Sequence, residues 1–131
     1  MNILWISHIL PYPPKGGSLQ RSFHLLKEMA KRHRIFLLAF SPKALLSAPD
    51  QTADFVKKLK EHCQEVKVLD IPCEKSRWTW RWLLFKNLFS SLPYSTKRLE
   101  SKEMEESVKA VLARQKIDLV YLDTIDLAQY A

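Results

Sequence analysis

Two adjacent glycines near the start of the chain have the type and position of a phosphate-binding loop. Gly16 and Gly17 stand directly before a helix-length segment, whose first backbone N–H groups and positive dipole end favour an anion. The lack of side chains lets a ligand come close to the backbone. A turn followed by a helix cap explains the same Pro-Pro-Lys-Gly-Gly sequence, so both interpretations stay open.

Polar side chains that could hold a hydroxylated ligand lie near these glycines and near the other end of the chain. His8 can hydrogen-bond a sugar hydroxyl, and the planar guanidinium of Arg21 can bind a phosphate or a carboxylate. Asp123 and Thr124 can orient the hydroxyls of an acceptor molecule. Roles without a ligand stay open as well, because such His and Arg side chains are often only solvated surface residues. Asp126 can equally cap a following helix.

The apolar pattern predicts the elements that position these residues. Four apolar runs are typical of strands buried on both faces: residues 3–6, 35–40, 66–71 and 119–122. Amphipathic helices are predicted between them, over residues 18–32, 53–63 and 101–115. Strands that alternate with helices indicate parallel pairing with right-handed crossovers. We therefore expect an α/β, Rossmann-like three-layer sandwich with a parallel sheet of order 3-2-1-4.

The third predicted helix shows how periodicity assigns a buried face. Ser101 is suited to cap its first turn, and acidic residues early and basic residues late match the helix dipole. Four apolar residues are expected to face the core: Met104, Val108, Val111 and Leu112.

The expected strand order also predicts where a ligand binds. In an open parallel sheet, ligands lie beyond the carboxyl ends of the strands, where the winding direction reverses. With order 3-2-1-4 this crevice opens between the first and fourth strands. Residues 8–17 and 123–126 would border it, although more than a hundred positions separate them.

Several enzyme classes are disfavoured by missing motifs. The chain has only two glycines, so the Gly-x-Gly-x-x-Gly fingerprint of nicotinamide enzymes is absent, and so is the Gly-Lys-Ser/Thr phosphate loop. The two cysteines lack zinc-site spacing and the density of a secreted disulfide scaffold, which favours a reduced cytosolic compartment. We predict no metal and no cofactor, and no complete catalytic set stands out.

An aromatic and basic segment forms a second feature of interest. The net charge is +7, and three of the four tryptophans lie between residues 77 and 86. Helical spacing aligns Trp78, Trp82 and Phe85, which suits an anionic membrane surface, packing against the sheet, or a lid over the acceptor pocket. Basic residues are spread over several helices without a recognition motif, so we expect no nucleic acid partner.

The beginning of the chain resembles the family 4 glycosyltransferases. The similarity comprises residues 2–7, the Pro-Tyr-Pro-Pro-Lys-Gly-Gly stretch at 11–17, then Arg21 and residues 24–26. It continues through residues 37–40 and, more weakly, through 118–123 and 126–130. The residues between them, including the tryptophan segment, carry no motif of the family.

This resemblance implies a GT-B fold, in which two Rossmann-like domains flank a cleft. The N-terminal domain would bind the acceptor, and Gly16 and Gly17 would approach the donor diphosphate. The reaction would be a retaining, metal-independent transfer from a nucleotide-sugar to a glycan or lipid-linked acceptor, as in bacterial exopolysaccharide pathways. The donor would be bound mainly by a C-terminal domain that carries the acidic motif of the family.

Residues 1–131 are accordingly expected to be a truncated N-terminal, acceptor-side domain, inactive without the donor-binding domain. The expected location is the cytoplasm, at the inner face of the membrane. The alternative is a non-catalytic α/β module that binds a membrane or another partner, for which the charge and the aromatic segment are the motivation.

Overall fold

A computed structural model describes residues 1–41, 49–72, 81–82, 85 and 94–130. Its four strands are β1 (Asn2–Ser7), β2 (Arg34–Ser41), β3 (Glu65–Asp70) and β4 (Leu119–Leu122). They form one sheet in the order β3-β2-β1-β4, and every neighbouring pair is parallel. The predicted α/β, Rossmann-like fold class and its strand order are confirmed.

Helices lie between the strands, and the apolar periodicity predicts the three longest of those described. The helices are α1 (Gly17–Ala30), α2 (Pro49–Lys60), α3 (Tyr94–Arg98) and α4 (Lys102–Arg114), followed by a 3₁₀ helix (Ile125–Tyr130). The cap predicted at Ser101 is confirmed, because its Oγ accepts a hydrogen bond from the Met104 amide. No described helix is long and apolar enough to cross a membrane.

Alternate residues of the central strands face opposite layers of helices. On one face, Trp5 and Leu37 pack in a cluster with Leu26 of α1 and Leu59 of α2. On the other face, the sheet packs against α4 in a second cluster. The buried residues of this second cluster are Leu4, Ile6, Phe36, Leu38, Phe40, Leu69, Ile71, Leu99, Met104, Val108, Val111 and Leu127. Apolar side chains are buried against helices on both faces of β1 and β2. The sheet is therefore the middle of three layers.

Two predictions about burial are wrong. The edge strands pack on both faces but are only partly buried: Lys67 of β3 and Leu119 of β4 are exposed, because an edge strand has a neighbour on one side only. Leu112 of α4 is also exposed. The helix instead turns Ser107 inward, where its hydroxyl donates to the Glu103 carbonyl and accepts from Nζ of Lys67.

Candidate functional site

The carboxyl ends of β1 and β4 lie side by side. Ile6 is in register with Leu122, and the amide of Asp123 donates a 3.0 Å hydrogen bond to the Ile6 carbonyl. This pairing brings Ser7, the last residue of β1, and His8, which follows it, next to Asp123, which follows β4. The two loops that the strand order predicts to be neighbours therefore meet at one edge of the sheet.

Asp123 is buried, and the other polar side chains at the carboxyl ends of β1 and β4 surround it. Only 2% of its side chain is exposed. The Ser22 hydroxyl donates a 2.8 Å hydrogen bond to Oδ1, and the Ser7 hydroxyl lies 3.1 Å from Oδ2 as a second donor. A buried carboxylate is costly unless protein groups replace its lost water contacts, and these hydroxyls are two of the groups that do so.

Two cationic or ionisable side chains complete the cluster. Nδ1 of His8 lies 3.5 Å from Oδ2 of Asp123, and a terminal nitrogen of Arg21 lies 3.6 Å from Oδ1. The Arg21 side chain is 65% exposed, so water weakens its attraction for the carboxylate. His8 is 32% exposed and contributes from a less solvated position.

The environment of Asp123 lowers the pKa of its carboxyl group. Burial alone would raise that pKa, but the side-chain contacts with His8, Ser22 and Ser7 outweigh burial and favour the charged form. Ser22 makes the shortest of these contacts, at 2.8 Å, and His8 makes the longest, at 3.5 Å. Asp123 is consequently a charged, buried acceptor.

The N-terminus of α1 opens beside this cluster. Gly16 precedes the helix with φ 89° and ψ 157°, a conformation that essentially only glycine adopts, and no side chain caps the first turn. A Cβ added at Gly16 or Gly17 would meet no atom of the described residues within 4 Å, apart from its chain neighbours and the adjacent helix backbone. Free space therefore lies outside the first amides of the helix, one to two turns before Arg21 and Ser22.

Thr124 adjoins the same edge. Its hydroxyl oxygen is buried, and among the described residues it has no hydrogen-bond partner. Such an unpaired buried hydroxyl is uncommon in a folded protein. Its role in acceptor binding stays a prediction, as do those of His8, Arg21 and Asp123.

The aromatic segment is described only in part. Trp78 lies outside the described residues. Trp82 and Phe85 are each 60% exposed, and their ring centroids are 5.9 Å apart. The described residues therefore place neither of these two rings in the core.

Two residues of the cluster escape prediction from the sequence. Ser7 lies at the end of β1, and Ser22 lies on the buried stripe of α1 between Leu19 and Leu26. A polar residue on an otherwise apolar helical stripe is a signal that can be found in advance. Its partner, however, is 101 positions away.

Comparisons with protein-family models, curated proteins and solved structures found no match to this chain. Within the described ranges, no group of three or more His, Cys, Asp or Glu side chains is arranged to hold a metal ion. The chemistry that can be read from the site is therefore that of its own side chains. It comprises hydrogen bonding to hydroxyls, attraction of anions, and a carboxylate in contact with an imidazole.

Proposed function

We propose that this chain supplies the acceptor-binding part of a retaining glycosyltransferase. The enzyme would move a sugar from a nucleotide-sugar to a glycan or lipid-linked acceptor. One observation carries the proposal: His8, Arg21 and Asp123 meet where β1 and β4 end, beside the uncapped start of α1. This is the edge at which parallel α/β sheets bind ligands.

The resemblance of residues 2–7, 11–17, 21 and 24–26 to the family 4 glycosyltransferases indicates which reaction to propose. In this proposal the amides after Gly16 and Gly17 approach the donor diphosphate, because helix N-termini bind anions. His8 and the residues around Asp123 face the acceptor. A second Rossmann-like domain completes the donor site, and the protein works in the cytoplasm at the inner face of the membrane.

Titration of the ¹⁵N-labelled chain with UDP-glucose, UDP-N-acetylglucosamine and GDP-mannose tests this proposal by NMR. We expect amide shifts centred on Gly17 and Arg21 at millimolar ligand, since most of the donor contacts belong to the other domain. A methyl group at Gly17 would occupy the free space outside the helix, so Gly17→Ala is expected to weaken binding about tenfold, or ~1.4 kcal/mol.

A charge-matched pair separates a site from general attraction to a basic protein. Arg21→Ala and Arg32→Ala remove the same charge from exposed positions. Arg21 lies in α1, whereas Arg32 lies two residues beyond the end of that helix. Only Arg21→Ala should weaken nucleotide-sugar binding. Equal weakening by both variants, or no shifts at Gly17 and Arg21, would show that the proposed site is wrong.

The exposed aromatic pair supports a second candidate, a module that binds an anionic membrane without catalysis. Trp82 and Phe85 are well exposed, and Arg81 beside them is exposed as well. Aromatic rings at headgroup level and cations near acidic lipid are typical of interfacial segments. The net charge of +7 adds long-range attraction.

Co-sedimentation with phosphatidylglycerol vesicles tests this candidate, with phosphatidylcholine vesicles as the control. We expect the chain to pellet with the anionic vesicles, and a Trp78→Ala, Trp82→Ala, Phe85→Ala triple variant to remain largely in the supernatant. Equal pelleting of the triple variant would exclude the aromatic segment as the membrane contact.

A further inference from the structure

We propose that Asp123 is a positioning residue that holds His8 in the tautomer with Nδ1 protonated, so that Nε2 accepts a hydrogen bond from a carbohydrate hydroxyl. The tautomer follows from the contacts of Asp123 alone. The last step, contact with a hydroxyl, rests on the acceptor-binding function proposed above.

Asp123 is poorly placed to touch a ligand itself. Its side chain is 2% exposed, and both oxygens already face protein groups. Ser22 and Arg21 approach Oδ1, whereas Ser7 and His8 approach Oδ2. A ligand would have to displace these groups to reach the carboxylate, so an influence of Asp123 on binding has to pass through a neighbour.

The donors that surround Oδ2 of Asp123 indicate that this neighbour is His8. The Ser7 hydroxyl has a single proton and two acceptors, the Ile9 carbonyl at 2.6 Å and Oδ2 at 3.1 Å. The shorter contact to Ile9 takes most of that proton. Among the described residues, Oδ2 is then left with Nδ1 of His8, 3.5 Å away, as its other donor. Such contacts are often long without ligand and shorten when the complex forms.

Nδ1 of His8, in turn, needs a hydrogen-bond partner. It is buried and has no hydrogen bond of normal geometry to a described residue, and the Asp123 carboxylate faces it. A charged carboxylate only accepts hydrogen bonds, so Nδ1 has to carry the proton. In the neutral ring the lone pair is then on Nε2, because the hydrogen bond at one nitrogen sets the state of the other.

The exposure of the imidazole indicates where that lone pair lies. The His8 side chain is 32% exposed although Nδ1 is buried, so the exposed surface belongs to the other atoms of the side chain. His8 follows β1 at the ligand-binding edge of the sheet. An unprotonated Nε2 there matches a hydroxyl donor and disfavours a group that can only accept.

Long-range ¹H–¹⁵N NMR of the histidine rings measures the tautomer directly, at mildly alkaline pH where imidazole is neutral. The spectrum of His8→Asn assigns the His8 signals. We expect the wild-type ring to be predominantly Nδ1–H, with the ¹⁵N shift of Nε2 typical of an unprotonated nitrogen. A ring that is mainly Nε2–H, or an even mixture, would overturn the inference.

Asp123→Asn and Ser22→Ala form a matched pair for the cause of the tautomer. Both remove a hydrogen bond of the same buried cluster, but only Asp123→Asn changes the group that faces Nδ1. We expect Asp123→Asn to raise the Nε2–H fraction and Ser22→Ala to leave it unchanged. If both variants shift it equally, or neither does, Asp123 does not set the tautomer.

The hydroxyl contact is tested with methyl glycosides of glucose, galactose, mannose and N-acetylglucosamine. A bound glycoside should move the Nε2 resonance, and His8→Gln, which keeps a polar atom near that place, should bind better than His8→Asn. Absence of any shift would remove the hydroxyl step and weaken the proposed function. Glycoside binding with an Nε2–H ring would instead remove the role of Asp123 and leave the proposed function standing.

Discussion

The Ser22 hydroxyl of α1 donates a 2.8 Å hydrogen bond to Asp123, which directly follows β4. Both side chains are almost completely buried. The bond ties the first helix to the end of the last strand, across the place where the proposed ligand site opens. It is therefore a contact through which stability and the geometry of the site are coupled.

Replacement of Ser22 by Ala is expected to lower the free energy of unfolding by about 1–3 kcal/mol, because a buried carboxylate loses a hydrogen bond. Urea denaturation followed by circular dichroism measures the change. Ser18→Ala is the control, since Ser18 is exposed on the same helix and should change stability by less than about 0.5 kcal/mol. Similar losses in both variants would mean that the Asp123 contact contributes little.

Asp123 should make stability fall on acidification. Its pKa is lower in the folded chain than in the unfolded chain, so its contribution is complete above about pH 4, the ordinary range of Asp, and is lost as the pH falls through the folded value. Asp123→Asn should cost about 1.5–3 kcal/mol near neutral pH. The gap between variant and wild type should narrow in acid, measured by urea denaturation between neutral pH and pH 3. A gap that stays constant over this range would contradict the lowered pKa.

The two glycines should respond oppositely to alanine. Gly16→Ala forces a side chain into a backbone conformation with φ 89°, and we expect a loss of about 1–3 kcal/mol. Gly17 is the first residue of α1, and an added Cβ meets no neighbour, so Gly17→Ala should be neutral or stabilise by up to about 1 kcal/mol. Thermal unfolding distinguishes the two. A marked loss of stability in Gly17→Ala would compromise its use as a probe of ligand binding.

Adjacent leucines of α1 offer a direct test of the packing. Leu26 is fully buried against the sheet, whereas Leu25 is exposed. Leu26→Ala should cost about 2–5 kcal/mol through lost burial and the cavity left behind. Leu25→Ala should cost less than about 1 kcal/mol. Comparable values from urea denaturation would show that α1 does not cover the sheet with the face described above.

Most of the fold can be predicted from the sequence because its signals are local. Buried parallel strands appear as short apolar runs, and alternation with helices leaves few topologies once crossovers are right-handed. The burial of individual residues depends on neighbours that the sequence does not show. Leu112 fits the helical stripe but is exposed, whereas Ser107 is buried and accepts a hydrogen bond from Lys67.

The location of the candidate site could be predicted from the sequence, but its hydrogen bonds could not. The expected strand order brings His8 near Asp123, and the structure has them 3.5 Å apart. Nothing local in the sequence shows that the Asp123 carboxylate is turned inward, or that Ser7 and Ser22 supply its hydrogen bonds. Those contacts depend on the packing of α1 against the ends of two strands.

The central place of β1 has a consequence for biosynthesis. The Ser7–Asp123 contact spans 116 positions, and β1 pairs on one side with β4. While the nascent chain grows, β1 can be paired by β2 early, but its other border stays without a partner until β4 has left the ribosome. An apolar strand with an open border readily joins another chain. Chaperone protection during translation should therefore matter more for this protein than its modest size suggests.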